Sequence, residues 1–210
     1  MIEHLLVLIP AAGASRRMGR PKQLLEVGGS SLLLRACRLA LSLARSNRVV
    51  RTDVLVVTGA NSPVVEAHLA EANLPITVAY CADWSKGLGN SIAFGAQNAL
   101  AEAATHLLVL LPDQPDIDRA YLDELLAAAA ITPAPIVATA YPRGAGVPAV
   151  FPAGYRNQLT QLEGNRGARD FLRRLATADN FQLLHAPTGP PLDLDTPEEY
   201  ERYARTHTDR

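Results

Sequence analysis

The densest chemistry in the chain lies in Pro10-Ala11-Ala12-Gly13-Ala14-Ser15-Arg16-Arg17-Met18-Gly19-Arg20-Pro21-Lys22. Small residues at 11–15 let the backbone approach a ligand closely, and main-chain N–H groups in such a turn surround an anion. Arg16, Arg17, Arg20 and Lys22 place four cations within seven residues. Small backbone beside dense positive charge is what a polyphosphate requires. Two familiar phosphate loops do not fit. A P-loop has four residues between its glycines and a lysine after the second; here five separate Gly13 from Gly19, and Arg20 follows. The dinucleotide pattern G-x-G-x-x-G is also absent from this loop. An ordinary strand-to-helix turn with solvated basic residues explains the cations but not the small residues beside them.

Acidic residues follow two other segments. Pro112-Asp113-Gln114-Pro115 ends an apolar run. A carboxylate at that exit suits Mg²⁺ facing a phosphate loop, or a turn that ends the strand. In Leu192-Asp193-Leu194-Asp195-Thr196-Pro197-Glu198-Glu199, an extended backbone puts Asp193 and Asp195 on one side. Either then joins the metal shell of Asp113. Asp195 or Thr196 before Pro197 also reads as a helix cap, and both roles are compatible. In Asp83-Trp84-Ser85-Lys86-Gly87-Leu88-Gly89-Asn90-Ser91, Gly89 gives close approach, and Asn90 and Ser91 offer hydrogen bonds to a base or sugar. A flexible loop and helix cap is the alternative. Gly164-Asn165-Arg166-Gly167-Ala168-Arg169-Asp170 suits an anion clamp for a second substrate or a solvated helix start. Scattered histidines and the absence of G-x-S-x-G argue against a histidine metal site and a serine-hydrolase elbow.

These loops need a scaffold. Short β-rich runs occur at Leu5–Ile9, Val54–Thr58, Ile76–Tyr80, His106–Leu111, Ile136–Tyr141 and Phe181–His185. Helical spacing fills Ser31–Ser46, Pro63–Asn73, Ser91–Ala104, Arg119–Ala130, Gly167–Thr177 and Pro197–Arg205. The alternation predicts βαβ units and an α/β fold, with a largely parallel sheet covered on both faces. Ligands in such sheets sit beyond the carboxyl ends of the strands, where the polar loops fall. Prolines and glycines break the rhythm over 132–165, which reads as short, antiparallel strands forming a lid on the acceptor side. The 210 residues read as one domain.

Composition bounds the rest. With 20 basic and 21 acidic residues, the net charge of −1 argues against a nucleic-acid protein driven by a broad basic field. A hydrophobic content of 48% excludes disorder of the whole chain. Cys37 and Cys81 form no C-x-x-C pair and read as packing residues suited to a reducing cytoplasm. No apolar run reaches the ~20 residues of a membrane span, and MIEHLLVLIPAAG reads as a buried strand rather than a signal peptide.

The combination A-A-G-A-S-R-R-M-G-R-P-K, D-W-S-K-G-L-G-N-S, L-P-D-Q-P, G-V-P-A-V-F, G-N-R-G-A-R and D-L-D-T-P-E-E-Y resembles the MobA-like nucleotidyltransferases, closest to the molybdenum cofactor cytidylyltransferases. The resemblance implies a three-layer α/β/α nucleotide-diphospho-sugar transferase (Rossmann-like) fold. It also implies Mg²⁺-dependent transfer of a nucleoside monophosphate to a phosphorylated acceptor. By position, Ala11, Ala12 and Gly13 would contact the base, and Ser15, Arg16 and Lys22 the phosphates. Ser91 would help read the nucleoside, and Asp113 would bind Mg²⁺ with Asp193 or Asp195. The A-A-G form favours CTP, since the guanylyl branch more often has glycine at the place of Ala12. The implied acceptor is molybdopterin or molybdenum cofactor, with a molybdenum hydroxylase as recipient of the product. Asn165, Val147 and Glu26-Val27 depart from the family pattern on the acceptor side. A sugar phosphate acceptor, GTP as donor, and a non-catalytic cofactor-binding maturation protein stay open as alternatives.

Overall fold

The computed structural model describes residues 1–164, 167–176 and 180–207. Strand β1 (Ile2–Pro10) is apolar at almost every position and buried on both faces, as an interior parallel strand must be. Next come the small hairpin β2 (Glu26–Val27) and β3 (Ser30–Ser31), α1 (Leu32–Ser42), β4 (Val49–Thr58), α2 (Ser62–Ala72) and β5 (Thr77–Tyr80). The chain continues through α3 (Leu88–Ala101), β6 (His106–Val109), α4 (Arg119–Ala129), β7 (Ile136–Tyr141) and β8 (Gly144–Pro152). It ends in α5 (Arg156–Leu159), α6 (Gly167–Leu175), β9 (Phe181–Leu184) and α7 (Pro197–His207).

Seven strands form one sheet in the order β5-β4-β1-β6-β8-β7-β9. Neighbours run parallel except at β8, which is antiparallel to both β6 and β7. Side chains alternate across β1 with the period of a strand. Leu5, Val7 and Ile9 face α1, α2 and α4, where Leu33, Leu69 and Leu125 are buried. Leu6 and Leu8 face α3, α5 and α6, where Ile92, Leu159 and Leu172 are buried. This is a three-layer α/β/α sandwich. Side chains start two of its helices. Ser31 Oγ accepts from Leu34 N–H at 3.2 Å, and Asp118 Oδ1 accepts from Tyr121 N–H at 2.8 Å.

Each expected β-rich run is a strand, but two strands start earlier than hydropathy indicates. The polar segment Arg51–Asp53 of β4 still pairs with His4–Leu6, because ladder bonds need only backbone groups. The 132–165 segment differs most from expectation. Its strands do pair antiparallel, but β8 lies inside the sheet and is buried from Val147 to Pro152, rather than lying over one end as a lid. The β7–β8 register jumps at Ala138/Thr139, so Val147 and Pro148 form a bulge. A bulge admits the proline that made this stretch look irregular. Among the described residues, no helix is long and apolar enough to cross a membrane.

Candidate functional site

A cavity of about 540 Å³ opens at the carboxyl ends of β1 and β6. Its walls are the first loop from Ala12 to Arg17, Lys22 and Gln23, Trp84 to Ser91 in part, Asp113, and Asp195. Three of the four cations of the first loop, Arg16, Arg17 and Lys22, line it. Arg20 instead stacks over the Tyr200 ring of α7, 5.4 Å from its centroid.

The loop is shaped from within by a residue that sequence reasoning passed over. Gln23 is buried, and its Nε2 donates to the carbonyls of Ala11 at 2.8 Å and Gly13 at 2.9 Å. Ser15, at φ +51°, closes the turn. Its Oγ accepts from Lys22 N–H at 3.0 Å and donates to Gln23 Oε1 at 3.3 Å. Underneath, Met18, Leu25, Val27 and Leu32 pack with Leu194 and Tyr203. One small cluster therefore seats both the basic loop and the 193–195 segment. Gly59 lets the neighbouring loop close in, since a Cβ there would stand 2.6 Å from Trp84 Cβ and 2.7 Å from Ala12 Cβ.

Lys22 Nζ donates to both Asp113 Oδ2 and Asp195 Oδ1, the latter at 2.9 Å. Arg17 reaches Asp195 Oδ2 at 2.8 Å from an exposed position. Burial works against the Lys22 ammonium, but the charges and hydrogen bonds of Asp113 and Asp195 outweigh it and raise its pKa above 10.5. Burial likewise works against ionised Asp195, but the hydrogen bond and charge of Lys22, with Arg17, hold its carboxyl below 3.8. Arg16 has no carboxylate partner among the described residues. Asp113 is buried, and its Oδ1 has no hydrogen-bond partner among the described residues.

A second polar group stands behind Asp113. Buried Gln114 points its Nε2 at Asp193 Oδ1 (2.8 Å), Tyr141 OH (2.9 Å) and the Val147 carbonyl (3.3 Å). Tyr141 OH donates to the same carbonyl at 2.6 Å. Desolvation, with the Asp113 and Asp195 charges nearby, raises the Asp193 pKa despite the Gln114 hydrogen bond. Leu194 N–H donates to the Asp113 carbonyl at 3.0 Å, fixing the acidic segment alongside. Thr196 caps α7 by accepting from Glu199 N–H at 3.3 Å, and Glu199 Oε2 accepts from Asp195 and Thr196 N–H, each at 2.9 Å. Cap and charge roles coexist there.

The structure thus brings Ala12, Gly13, Ser15, Arg16, Lys22, Ser91, Asp113 and Asp195 to one cavity. Ala11, Gly89 and Asp193 stand apart from its lining. The Ala11 N–H goes to the Val57 carbonyl at 2.8 Å, and its own carbonyl is held by Gln23. Gly89 N–H donates to the Gly164 carbonyl at 2.8 Å, and a Cβ would meet that oxygen. Its glycine serves loop packing. Asp193 and Asp195 do not share a partner as the alternation predicts, because buried Leu194 separates a Gln114-facing carboxylate from a Lys22-facing one. Among the described residues, no three His, Cys, Asp or Glu side chains form a metal cage. Asn165 and Arg166 lie outside the described residues.

The MobA-like NTP transferase domain matches residues 7–179. The chain belongs to the MobA-like NTP transferase family. Two curated relatives span nearly its whole length. Purine catabolism protein PucB of Bacillus subtilis is 30% identical over 96% of this chain and 97% of PucB. Nicotine blue oxidoreductase of Paenarthrobacter nicotinovorans is 35% identical over 91% of this chain and 92% of that protein. Among solved structures, Rv0371c of Mycobacterium tuberculosis superposes with a TM-score of 0.75 at 23% identity, covering 98% and 99% of the two chains. A nucleotidyl transferase of Methanothermobacter thermautotroptrophicus gives 0.73 at 19%, covering 97% of each. At these identities the superpositions show the fold. The MobA-like chain is a nucleotidyltransferase.

Proposed function

We propose that this MobA-like chain transfers CMP from CTP to the phosphate of molybdopterin or molybdenum cofactor and releases pyrophosphate. One observation carries the reading: a small-residue loop, Arg16 without a carboxylate partner among the described residues, and Lys22 bracketed by Asp113 and Asp195 converge on one cavity. An acceptor phosphate oxygen attacks the α-phosphorus, and the bond to the β-phosphate oxygen breaks. A phosphate monoester is largely ionised at neutral pH (second pKa ~6), so the attack needs no strong general base. Arg16 and Lys22 hold the triphosphate and stabilise the charge that gathers on departing pyrophosphate. Ser91, in the first turns of α3 and on the cavity wall, would help read the nucleoside. The A-A-G form of the loop, with Ala12 where the guanylyl branch more often has glycine, supports CTP over GTP.

The residues present fit Mg²⁺. This ion takes one or two carboxylates and fills its shell with water and phosphate oxygens, and Asp113 offers a buried oxygen without a partner. Asp113 and Asp195 would hold it, and when bound it would neutralise triphosphate charge. A molybdenum hydroxylase in the cytoplasm is the proposed recipient of the product.

The test is pyrophosphate release with molybdenum-loaded molybdopterin, with and without Mg²⁺, comparing CTP with GTP and using Lys22→Ala as control. Release with CTP alone supports the reading. Release with GTP alone reverses the base assignment. Release only with a sugar phosphate reassigns the acceptor. Nucleotide binding without release points to a maturation protein, and reduced nicotinamide consumption is the control suggested by the name of the Paenarthrobacter relative.

A further inference from the structure

The ammonium of Lys22 bridges the two carboxylates that the proposed function gives to a divalent ion. The Lys22 side chain is 21% exposed and that of Asp113 only 9%, so the pair is largely shielded from water. An ion held by both carboxylates needs the space between them, and a lysine cation there repels it, most where Asp113 is buried and less at Asp195, which is 34% exposed. Among the described residues, Lys22 Nζ has no other carboxylate within 4.0 Å. A displaced ammonium therefore needs an anion from outside the protein. Arg17 pairs with Asp195 from a side chain that is 70% exposed, so it can stay or leave at little cost.

We propose that Lys22 is a resident counter-ion: its transfer from Asp113 and Asp195 to the nucleotide phosphates opens the two carboxylates to the divalent ion, so metal and triphosphate bind with strong positive coupling. The inference rests on the triphosphate chemistry proposed above. Metal alone must expel an ammonium into the cavity, where no other carboxylate of the described residues receives it. Triphosphate alone gains Lys22 but faces two carboxylates stripped of their cation. When both bind, every charge finds an opposite. Reciprocity then requires each ligand to strengthen the other by the same factor. The role of Lys22 is thus double. It excludes the ion from the free protein and holds phosphate in the complex.

The experiment uses the full chain, with Mn²⁺ as the probe for the divalent ion and CTP for the nucleotide. Mn²⁺ binding is followed by loss of the free-ion paramagnetic signal, and CTP binding by calorimetry at known free Mn²⁺. Lys22→Met is expected to bind Mn²⁺ without nucleotide roughly tenfold or more tightly than wild type. Adding Asp113→Asn to that variant should remove the gain. Lys22→Arg, which keeps the cation, should bind Mn²⁺ as weakly as wild type. Equal Mn²⁺ affinity in wild type and Lys22→Met overturns the inference. The wild type supplies an arm that needs no variant. Its CTP affinity should rise roughly tenfold or more on adding Mn²⁺, and indifference to Mn²⁺ overturns the coupling even if Lys22→Met does not fold. Failure to bind either CTP or GTP overturns the proposed function. The Mn²⁺ comparison is read without nucleotide, so it decides the counter-ion role separately.

Discussion

Asp113 and Gln114 are adjacent, yet they belong to two differently built flanks of one site. On the Asp113 flank, two carboxylates share one lysine beside a cavity. On the Gln114 flank, a neutral amide gathers a carboxylate, a phenol and a carbonyl from separate segments. The first arrangement trades one charge for another and can be rearranged by a charged ligand. The second has no such exchange partner, and losing its donor leaves a half-buried carboxylate without its amide. The same carboxylate chemistry therefore serves function on one side and position on the other, and the partner decides which.

That contrast can be broken by substitution. Asp113→Ala should show the largest effect, lowering pyrophosphate release by roughly 10²–10³-fold, with a melting profile that remains cooperative. Near-normal turnover would remove the functional flank from the mechanism. Gln114→Leu should act mainly on stability, costing about 1 kcal/mol because half-buried Asp193 loses its amide donor. Denaturant titration reads this, and a stability equal to wild type would show that the amide holds nothing.

Proton linkage sharpens the comparison further. The folded pKa of Asp193 is raised, so its ionisation costs stability above that pKa, and the cost is relieved as pH falls through it. Asp195 is lowered, so its contribution is present above 3.8 and is lost as pH falls through its folded pKa. Asp193→Asn should therefore gain on wild type at neutral pH and lose that gain in acid, whereas Asp195→Asn should be weaker at neutral pH and converge in acid. Thermal melts from pH 7 to pH 3 test the opposite signs. Arg17→Ala should give the smallest effect, within about 1 kcal/mol, because its ion pair is solvated. A larger loss would mean that Arg17, too, holds the functional flank.

The charged flank was legible in the sequence because density of charge and small residues leaves a mark. Arg16, Lys22, Asp113 and Asp195 were all named from their loops. Strand and helix alternation was equally legible, since hydrophobic runs report burial directly. Gln23 and Gln114 were not, because an amide carries no charge and its value depends on carbonyls brought near by the fold. The split between Asp193 and Asp195 was hidden for a similar reason. Alternation predicts a shared side, but Leu194 is drawn into the cluster with Met18 and Tyr203. Strand β8 reads from sequence as a short antiparallel strand of a lid and not as part of the sheet, since a bulge that admits Pro148 is a property of the pairing with β7 and not of the local sequence.

The distance between the two cationic and anionic halves along the chain has a bearing on biosynthesis. Lys22 and Asp195 are separated by 173 positions. At elongation rates of about 5–20 residues per second, the basic loop is synthesised roughly 9–35 s before its second carboxylate exists. A growing chain thus carries a phosphate-attracting loop early, but the full set of charges is assembled only when synthesis is nearly complete.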